Sequence, residues 1–355
     1  VEAGVFEPVE TELGIDADDV VLETGSRPLQ MPGNSFAGAL IDSTQALELN
    51  TLPSSAVIIG AGAVALEFAS LWNAAGCEVT LLIRKDRVLS TWERRASMTL
   101  TRELKRRGVN VIARTAVDRV DTGANLGATV HYRQGDSDED RTAYGEVVLA
   151  AIGRVPNTDA DWFRSSGLKL DERGYVTVDG YGRTNLDGVW ALGDITPGHA
   201  LAHRAFEQSI TIAEKIAGAD PKPVLDDTVP QVVFSFPEAA SVGLTLDQAK
   251  AREDVVEPKE TAYPMLSNAR MLMSGEGGSM TVVSGAFANN PDMQVVLGVH
   301  IVSPIASDLI AEAEQLVGNR VPLADAARLI HPHPTFSETL GEALLKADGR
   351  PLHTR

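Results

Sequence analysis

The sequence predicts an α/β protein: a parallel sheet packed by helices, followed by an α+β unit. Three observations carry that expectation. Residues 57–67, VIIGAGAVALE, run an apolar strand through a glycine-rich turn into a helix start. Strand and helix patterns then alternate β-α-β-α-β as far as residue 113. From residue 228 strands dominate first and helices last, the order of an α+β unit. The 355 residues suffice for two or three domains, each with its own core.

The elements follow in order. Residues 19–23 (DVVLE) read as a short strand leading into TGSRP, and Pro-Gly at 32–33 marks a turn. A new strand starts at 56–60. Residues 62–75 carry a helical apolar pattern, with Val64, Phe68, Leu71 and Trp72 expected on one buried face. EVTLLI (78–83) is the next buried strand. Residues 94–107 form a charged helix closed by Gly108, and VNVIA follows as a strand. This order predicts helices on both faces of the sheet. From 117 the polar alternation of VDRVDT, ATVHYRQ and GEVVLAAIG reads as an antiparallel meander ending in a buried strand at 147–152. A helix is expected at 201–217, then a linker at Gly218, Pro221 and Pro223. The last unit shows strands near 231–235, 280–287 and 294–303 and helices at 304–318, 322–329 and 337–346.

Charge and composition exclude several classes. A formal net charge of −18 argues against nucleic-acid binding, which needs a basic surface to displace counterions. No apolar run approaches the ~20 residues that span a bilayer, and no membrane partner is expected. The chain opens on an acidic stretch without an initiating Met, and no signal peptide is expected. A single cysteine, Cys77, excludes an internal disulfide, and the cytoplasm is the expected location. No metal site is expected.

The glycine-rich turn has the chemistry of a dinucleotide site. Gly60 permits the tight turn, Gly62 lets the backbone approach a pyrophosphate, and the small Ala65 lets helix and strand pack closely. The helix start then offers N–H groups and a partial positive charge to phosphates. The other reading is a tight turn without a ligand. An NAD site usually ends the second strand in a carboxylate that holds the ribose 2′-hydroxyl. Here Ile83 is followed by Arg84, Lys85, Asp86 and Arg87. Arg84, Lys85 and Arg87 suit a 2′-phosphate, which favours NADP; a solvated basic loop beside an NAD site is the alternative.

Residues 331–338, HPHPTFSE, set His333 five positions before Glu338. A histidine oriented by a carboxylate is a general acid–base unit. A helix cap, with Thr335 or Ser337 capping and Glu338 in the first turn, is the alternative that spacing leaves open.

Taken together, these stretches resemble the pyridine nucleotide–disulfide oxidoreductase family of flavoproteins, and its dihydrolipoamide dehydrogenase branch most closely. ETGSRP (23–28) is similar to the family's ATGSRP, with Glu23 in place of Ala. VIIGAGAVALEFAS (57–70) resembles the nicotinamide fingerprint, IGRVPN (152–157) the GRxPN motif, and VWALGD (189–194) with LAHRA (201–205) the second flavin motif. VVFSFPEAASVGLT (232–245) resembles the opening of the dimerisation domain, and HPHPTFSE the H-x-H-P-T-x-x-E motif. The resemblance covers nearly the whole chain in the family's order.

The fold it implies is a Rossmann-like nucleotide-binding domain inserted in the remainder of a FAD-binding domain, followed by an α+β dimerisation domain. The divisions are 1–45 with 154–220 for FAD, 46–153 for NAD(P), and 221–355 for the interface. The function implied is a flavin-dependent dithiol/disulfide oxidoreductase that moves electrons between a dithiol and NAD or NADP through FAD. His333 would be its acid–base and Glu338 the orienting partner, completing the site of the other subunit in a homodimer. Thr24, Gly25, Gly153, Asp194, Leu201, Ala202 and His203 would contact FAD or its surroundings, Asp194 at the ribityl chain. Glu67 resembles a glutamate that pairs with a lysine following the redox cysteines.

The departures from the family are specific. The family's first flavin fingerprint and C-x-x-x-x-C pair lie upstream of the point where this chain starts, so the chain is expected to be N-terminally truncated. Ala63 replaces a residue that is often bulky. The basic strand end at 84–87 resembles the NADPH-dependent reductases, whereas HPHPTFSE points to the dihydrolipoamide branch. An NADPH-dependent reductase of a small disulfide or quinone, and a non-catalytic nucleotide-binding dimer module, are therefore the alternatives.

Overall fold

The computed structural model describes residues 16–123 and 127–354. The acidic opening stretch noted above lies outside the described residues. Contacts divide the chain into two compact units: the segment ending at Ser26 with Pro156–Val224, and Arg27–Val155 with the chain from Leu225 on.

The second unit holds a five-stranded parallel sheet, ordered Leu40–Ile41, Val147–Ala150, Ser55–Ile59, Glu78–Ile83 and Asn110–Ala113. Period-two alternation sends its side chains to two different cores. Ile58, Leu81 and Ile83 meet helix Ala63–Ala74 through Ala65, Leu66 and Ala69, and helix Arg94–Arg106 through Ala96, Leu100 and Leu104. Val57, Ile59, Leu82 and Val148 on the opposite face meet Val120, Val130 and Tyr132. Those three belong to an antiparallel meander of Thr115–Thr122, Ala128–Gln134 and Arg141–Gly145. The expectation of helices on both faces therefore fails on one side, where the half-apolar meander supplies the cover.

Helix Ala63–Ala74 is also rotated from its expected setting. Leu71 is 58% exposed, while Ala65, Leu66 and Ala69 are buried with Phe68 and Trp72. Small residues face the sheet because the helix approaches it closely, and the apolar spacing gave the wrong face at Leu71.

The same unit continues into a five-stranded antiparallel sheet ordered Gln231–Val233, Glu238–Gly243, Asn290–Ser303, Ser279–Phe287 and Val255–Pro264. Helices Ala306–Gly318 and Glu338–Ala347 bury Leu309, Ile310, Ala313, Leu340, Ala343 and Leu344 against it. Two of its strands have no signal in the sequence reading. EAASVG is built of small residues that the register buries. VVEPKETAYP carries Pro258 at a bulge between Val256 and Lys259, where the missing N–H breaks no ladder bond. The expected helix at 322–329 shortens to Leu323–Ala326.

In the first unit, strand Val20–Leu22 pairs parallel with Val189–Ala191, and helix Ala202–Ile216 packs Ala205 and Ile212 on Trp190 and Leu192. Phe163, Val176 and Ile195 form a second small core there. Among the described residues no helix is long and apolar enough to cross a membrane.

Candidate functional site

The strand Ser55–Ile59 ends in the glycine turn. Gly60 has φ +143°, where a side chain is strained, and a Cβ there would collide with the Ala151 carbonyl. That Cβ would also sit 3.3 Å from the Ala65 methyl, so small residues at both positions let the turn close on the helix. Gly62 is the N-cap of helix Ala63–Ala74 and brings no side-chain cap. Nothing lies within 4 Å of a Cβ built on Gly62, so the chain itself does not require glycine there; open space over an uncapped helix start suits a phosphate group. Gly153 has φ +144°, and its carbonyl accepts from the Leu29 amide at 3.0 Å.

The basic strand end divides into two groups. Arg87 turns aside: its guanidinium donates to Asp86 Oδ1 at 2.9 Å and to the Ser90 carbonyl at 3.2 Å. Arg84 and Lys85 are exposed, with no ion pair or side-chain hydrogen bond among the described residues. A third cation, Arg114, joins them. Ile83 pairs with Ala113, so Arg84 and Arg114 leave neighbouring parallel strands side by side, and the Arg114 amide donates to the Lys85 carbonyl at 3.0 Å. Arg114 is likewise exposed and unpaired among the described residues. Sequence reasoning missed it because the strand register, not local spacing, brings it there.

Glu67 finds a backbone partner: its carboxylate accepts from the Phe234 amide at 3.0 Å. Three residues on, Ser70 Oγ accepts from the Phe236 amide at 3.1 Å. Cys77 is buried, and desolvation first, then Glu146 and Glu78, push its thiol up to about 11, which leaves it unreactive near neutral pH.

His333 and Glu338 come together. The ring Nδ1 lies 2.7 Å from Glu338 Oε1, and the Thr335 amide donates to the other carboxylate oxygen at 2.7 Å. Burial works to raise the Glu338 pKa. The Thr335 amide and the His333 hydrogen bond outweigh it, and the carboxyl lies below its ordinary 4.5. The carboxylate is 20% exposed and the imidazole 73% exposed, so the pair is anchored at the acid and open at the base. An Nδ1–H held by the carboxylate leaves Nε2 as the outward lone pair. Asn268, which sequence reasoning missed, donates from Nδ2 to the Thr335 carbonyl at 3.0 Å and fixes the loop from the side.

The flavin-type residues other than Gly153 lie in the first unit. The Ser26 hydroxyl donates to Asp194 Oδ2 at 2.5 Å. Thr24 Oγ1 donates to the Asn157 carbonyl at 2.8 Å, and the Gly25 carbonyl accepts from the Asn157 amide at 2.9 Å. Leu201 starts helix Ala202–Ile216 without a side-chain cap, with Ala202 and His203 in the first turn. A carboxylate acceptor and an uncapped helix start fit a hydroxylated chain and an electron-rich group. Glu23 opposes an anion: its carboxylate oxygen is 3.3 Å from where a Cβ on Gly193 would stand.

Comparison with known proteins agrees along the chain. Residues 4–209 match pyridine nucleotide-disulphide oxidoreductase, and residues 229–344 match the dimerisation domain of the same family. Dihydrolipoyl dehydrogenase from Cupriavidus necator is 35% identical over 342 residues, 96% of this chain and 70% of the relative. Dihydrolipoyl dehydrogenase from Geobacillus stearothermophilus is 36% identical over 341 residues, 94% of this chain and 69% of the relative. The crystal structure of LpdA from Mycobacterium tuberculosis superposes with a TM-score of 0.81 at 29% identity, over 93% of this chain and 70% of that one.

The lowered Glu338 pKa sets a pH window. Its grip on Thr335 is fully present above the ordinary value of 4.5 and is lost as pH falls through the lower native value. The Thr335 amide resonance is therefore expected to hold steady from neutral pH to about 5 and to move only below that. A shift centred above pH 4.5 contradicts the assignment.

Proposed function

The chain belongs to the pyridine nucleotide-disulphide oxidoreductase family, and from that premise we propose that His333 and Glu338 are its proton-transfer pair. The reaction class is that of a flavin-dependent dithiol/disulfide oxidoreductase of the dihydrolipoyl dehydrogenase type, with FAD and NAD(P) as cofactors. The observation that carries the proposal is the 2.7 Å contact between His333 Nδ1 and Glu338 Oε1, with Nε2 turned outward. Nε2 takes the proton of an attacking thiol, and the imidazolium so formed gives it to a leaving thiolate. The Glu338 carboxylate holds the ring in the tautomer that can do so and stabilises the imidazolium that forms. FAD, when bound, carries the electron pair between dithiol and nicotinamide; Asp194, Thr24, Gly25 and the helix start at Leu201, Ala202 and His203 are the groups we assign to its side. Gly60, Gly62 and Ala65 are assigned to the nicotinamide nucleotide, with Glu67 anchoring the helix that begins there.

Within NAD(P), Arg84, Lys85 and Arg114 favour the phosphorylated nucleotide. Three cations, unpaired among the described residues, at a strand end of a chain with net charge −18 suit a 2′-phosphate, while Arg87 is already engaged. The chain acts as a homodimer. Residues 229–344 match a dimerisation domain, and Leu266, Leu272, Met273 and Ile330 present exposed apolar surface around the His333 loop. In this reading the domain divisions are 1–45 with 154–220, 46–153 and 221–355. A dithiol substrate and a buried free thiol agree with a cytoplasmic setting.

Replacing Glu338 by Gln is expected to lower kcat with dihydrolipoamide by about 100-fold or more and to leave nucleotide binding intact. Unchanged turnover removes the pair from the mechanism. Arg84→Ala and Arg114→Ala are each expected to weaken NADPH binding about tenfold, a 1.4 kcal/mol effect, without weakening NADH. Equal losses for both nucleotides contradict the phosphate assignment.

A further inference from the structure

The first histidine of the HPHPTFSE segment has no part in the proton transfer described above, yet it is among the most firmly held groups near it. His331 Nε2 lies 3.0 Å from Glu312 Oε1 on helix Ala306–Gly318. The His331 side chain is only 9% exposed. Its ring lies on the backbone of Gly341: a Cβ at that glycine would stand 2.5 Å from the ring Nδ1. Gly341 is three residues after Glu338 on helix Glu338–Ala347, so the two positions share a helix face. The same helix thus holds His333 through Glu338 and supports His331 through Gly341.

We propose that His331, tied to Glu312 and seated on Gly341, is a positioning residue that fixes the ring orientation of His333. The inference rests on the proposed role of His333 and Glu338. The geometry gives it a mechanical basis. Only Pro332 separates the two histidines, so the backbone leaving the buried His331 sets where His333 emerges. On the far side, Asn268 holds the Thr335 carbonyl at 3.0 Å, and Arg270 lies over the Phe336 ring at 5.5 Å. On the N-terminal side of His333 the Thr335 hydroxyl donates to the Pro332 carbonyl at 2.6 Å within the loop, and His331 ties the segment to helix Ala306–Gly318. Without it, the segment before His333 swings, and the Nδ1–Glu338 bond gives way to solvent. The Glu312 hydrogen bond raises the His331 pKa above its ordinary 6.5 against the opposing effect of burial, so ring and carboxylate attract as charges over a wider range. Glycine at 341 has a role here beyond helix propensity, since any side chain meets the His331 ring.

The test reads His333 directly. Nitrogen chemical shifts of the histidine rings in the FAD-loaded enzyme report which ring nitrogen carries the proton. In the wild type, His333 is expected to hold its proton on Nδ1, against Glu338. Glu312→Ala is expected to move the His333 signals toward the Nε2–H tautomer that predominates in free histidine. It is also expected to lower kcat with dihydrolipoamide about tenfold, leaving KM for the nucleotide unchanged. Glu312→Gln keeps an acceptor oxygen and is expected to restore both. Gly341→Ala provides a second route, displacing the ring without removing a charge. Unchanged His333 nitrogen shifts in folded Glu312→Ala and Gly341→Ala overturn the proposal, even where thermal stability falls. If the wild type fails to turn over any dithiol, the proposed function fails, while the tautomer measurement still decides this inference on its own.

Discussion

Helix Ala63–Ala74 makes the tie on which both sites depend. Its start is the candidate phosphate site, and its buried face, Ala65, Leu66 and Ala69, packs on the parallel sheet. Its outer side reaches the C-terminal sheet: Glu67 and Ser70 hold the amides of Phe234 and Phe236 at 3.0 and 3.1 Å. Those two amides lie just past strand Gln231–Val233 and would otherwise need another acceptor. Val233, Ala239 and Val302 of the C-terminal sheet share one core with the helix. The nucleotide turn and the sheet beneath the His333 loop are therefore parts of one packed unit. Arg107 over the Phe236 ring at 4.5 Å adds a second attachment from the neighbouring helix end.

Charge is distributed with the same economy. The chain carries a formal charge of −18, yet three cations unpaired among the described residues stand together where strands Glu78–Ile83 and Asn110–Ala113 end. Arg87, close to them in sequence, is spent on Asp86 and a carbonyl. Proximity along the chain is thus a poor guide to which cations a ligand meets, and strand register is a better one. The acid near the other site behaves differently. Glu338 gains from two donors what it loses to burial, and remains ionised where a histidine partner needs it.

Local patterns made much of this legible in the sequence. The glycine turn declares itself because a positive φ and close approach restrict which residues fit at 60 and 65. The HPHPTFSE segment is legible through its resemblance to a family motif; its spacing alone left a helix cap open, and the folded loop is what brings His333 and Glu338 together. What stayed hidden depends on tertiary placement. Glu238–Gly243 is a central strand of small residues, with no apolar alternation to announce it. Val255–Pro264 hides behind a proline that its bulge absorbs. Leu71 is apolar but exposed, because the helix turns its alanines to the sheet. Arg114, Asn268 and Glu312 are remote in sequence from the groups they serve, and only the folded registers bring them there.

The central claim is that His333 moves the proton of the dithiol, and rapid mixing isolates that event. The FAD-loaded enzyme and its His333→Gln variant would each be mixed anaerobically with dihydrolipoamide, and separately with reduced nicotinamide nucleotide, while flavin absorbance is followed. The account predicts that the variant is reduced by the dithiol about 100-fold or more slowly, and by the nucleotide at the wild-type rate. Dithiol reduction at an unchanged rate in the variant would contradict it.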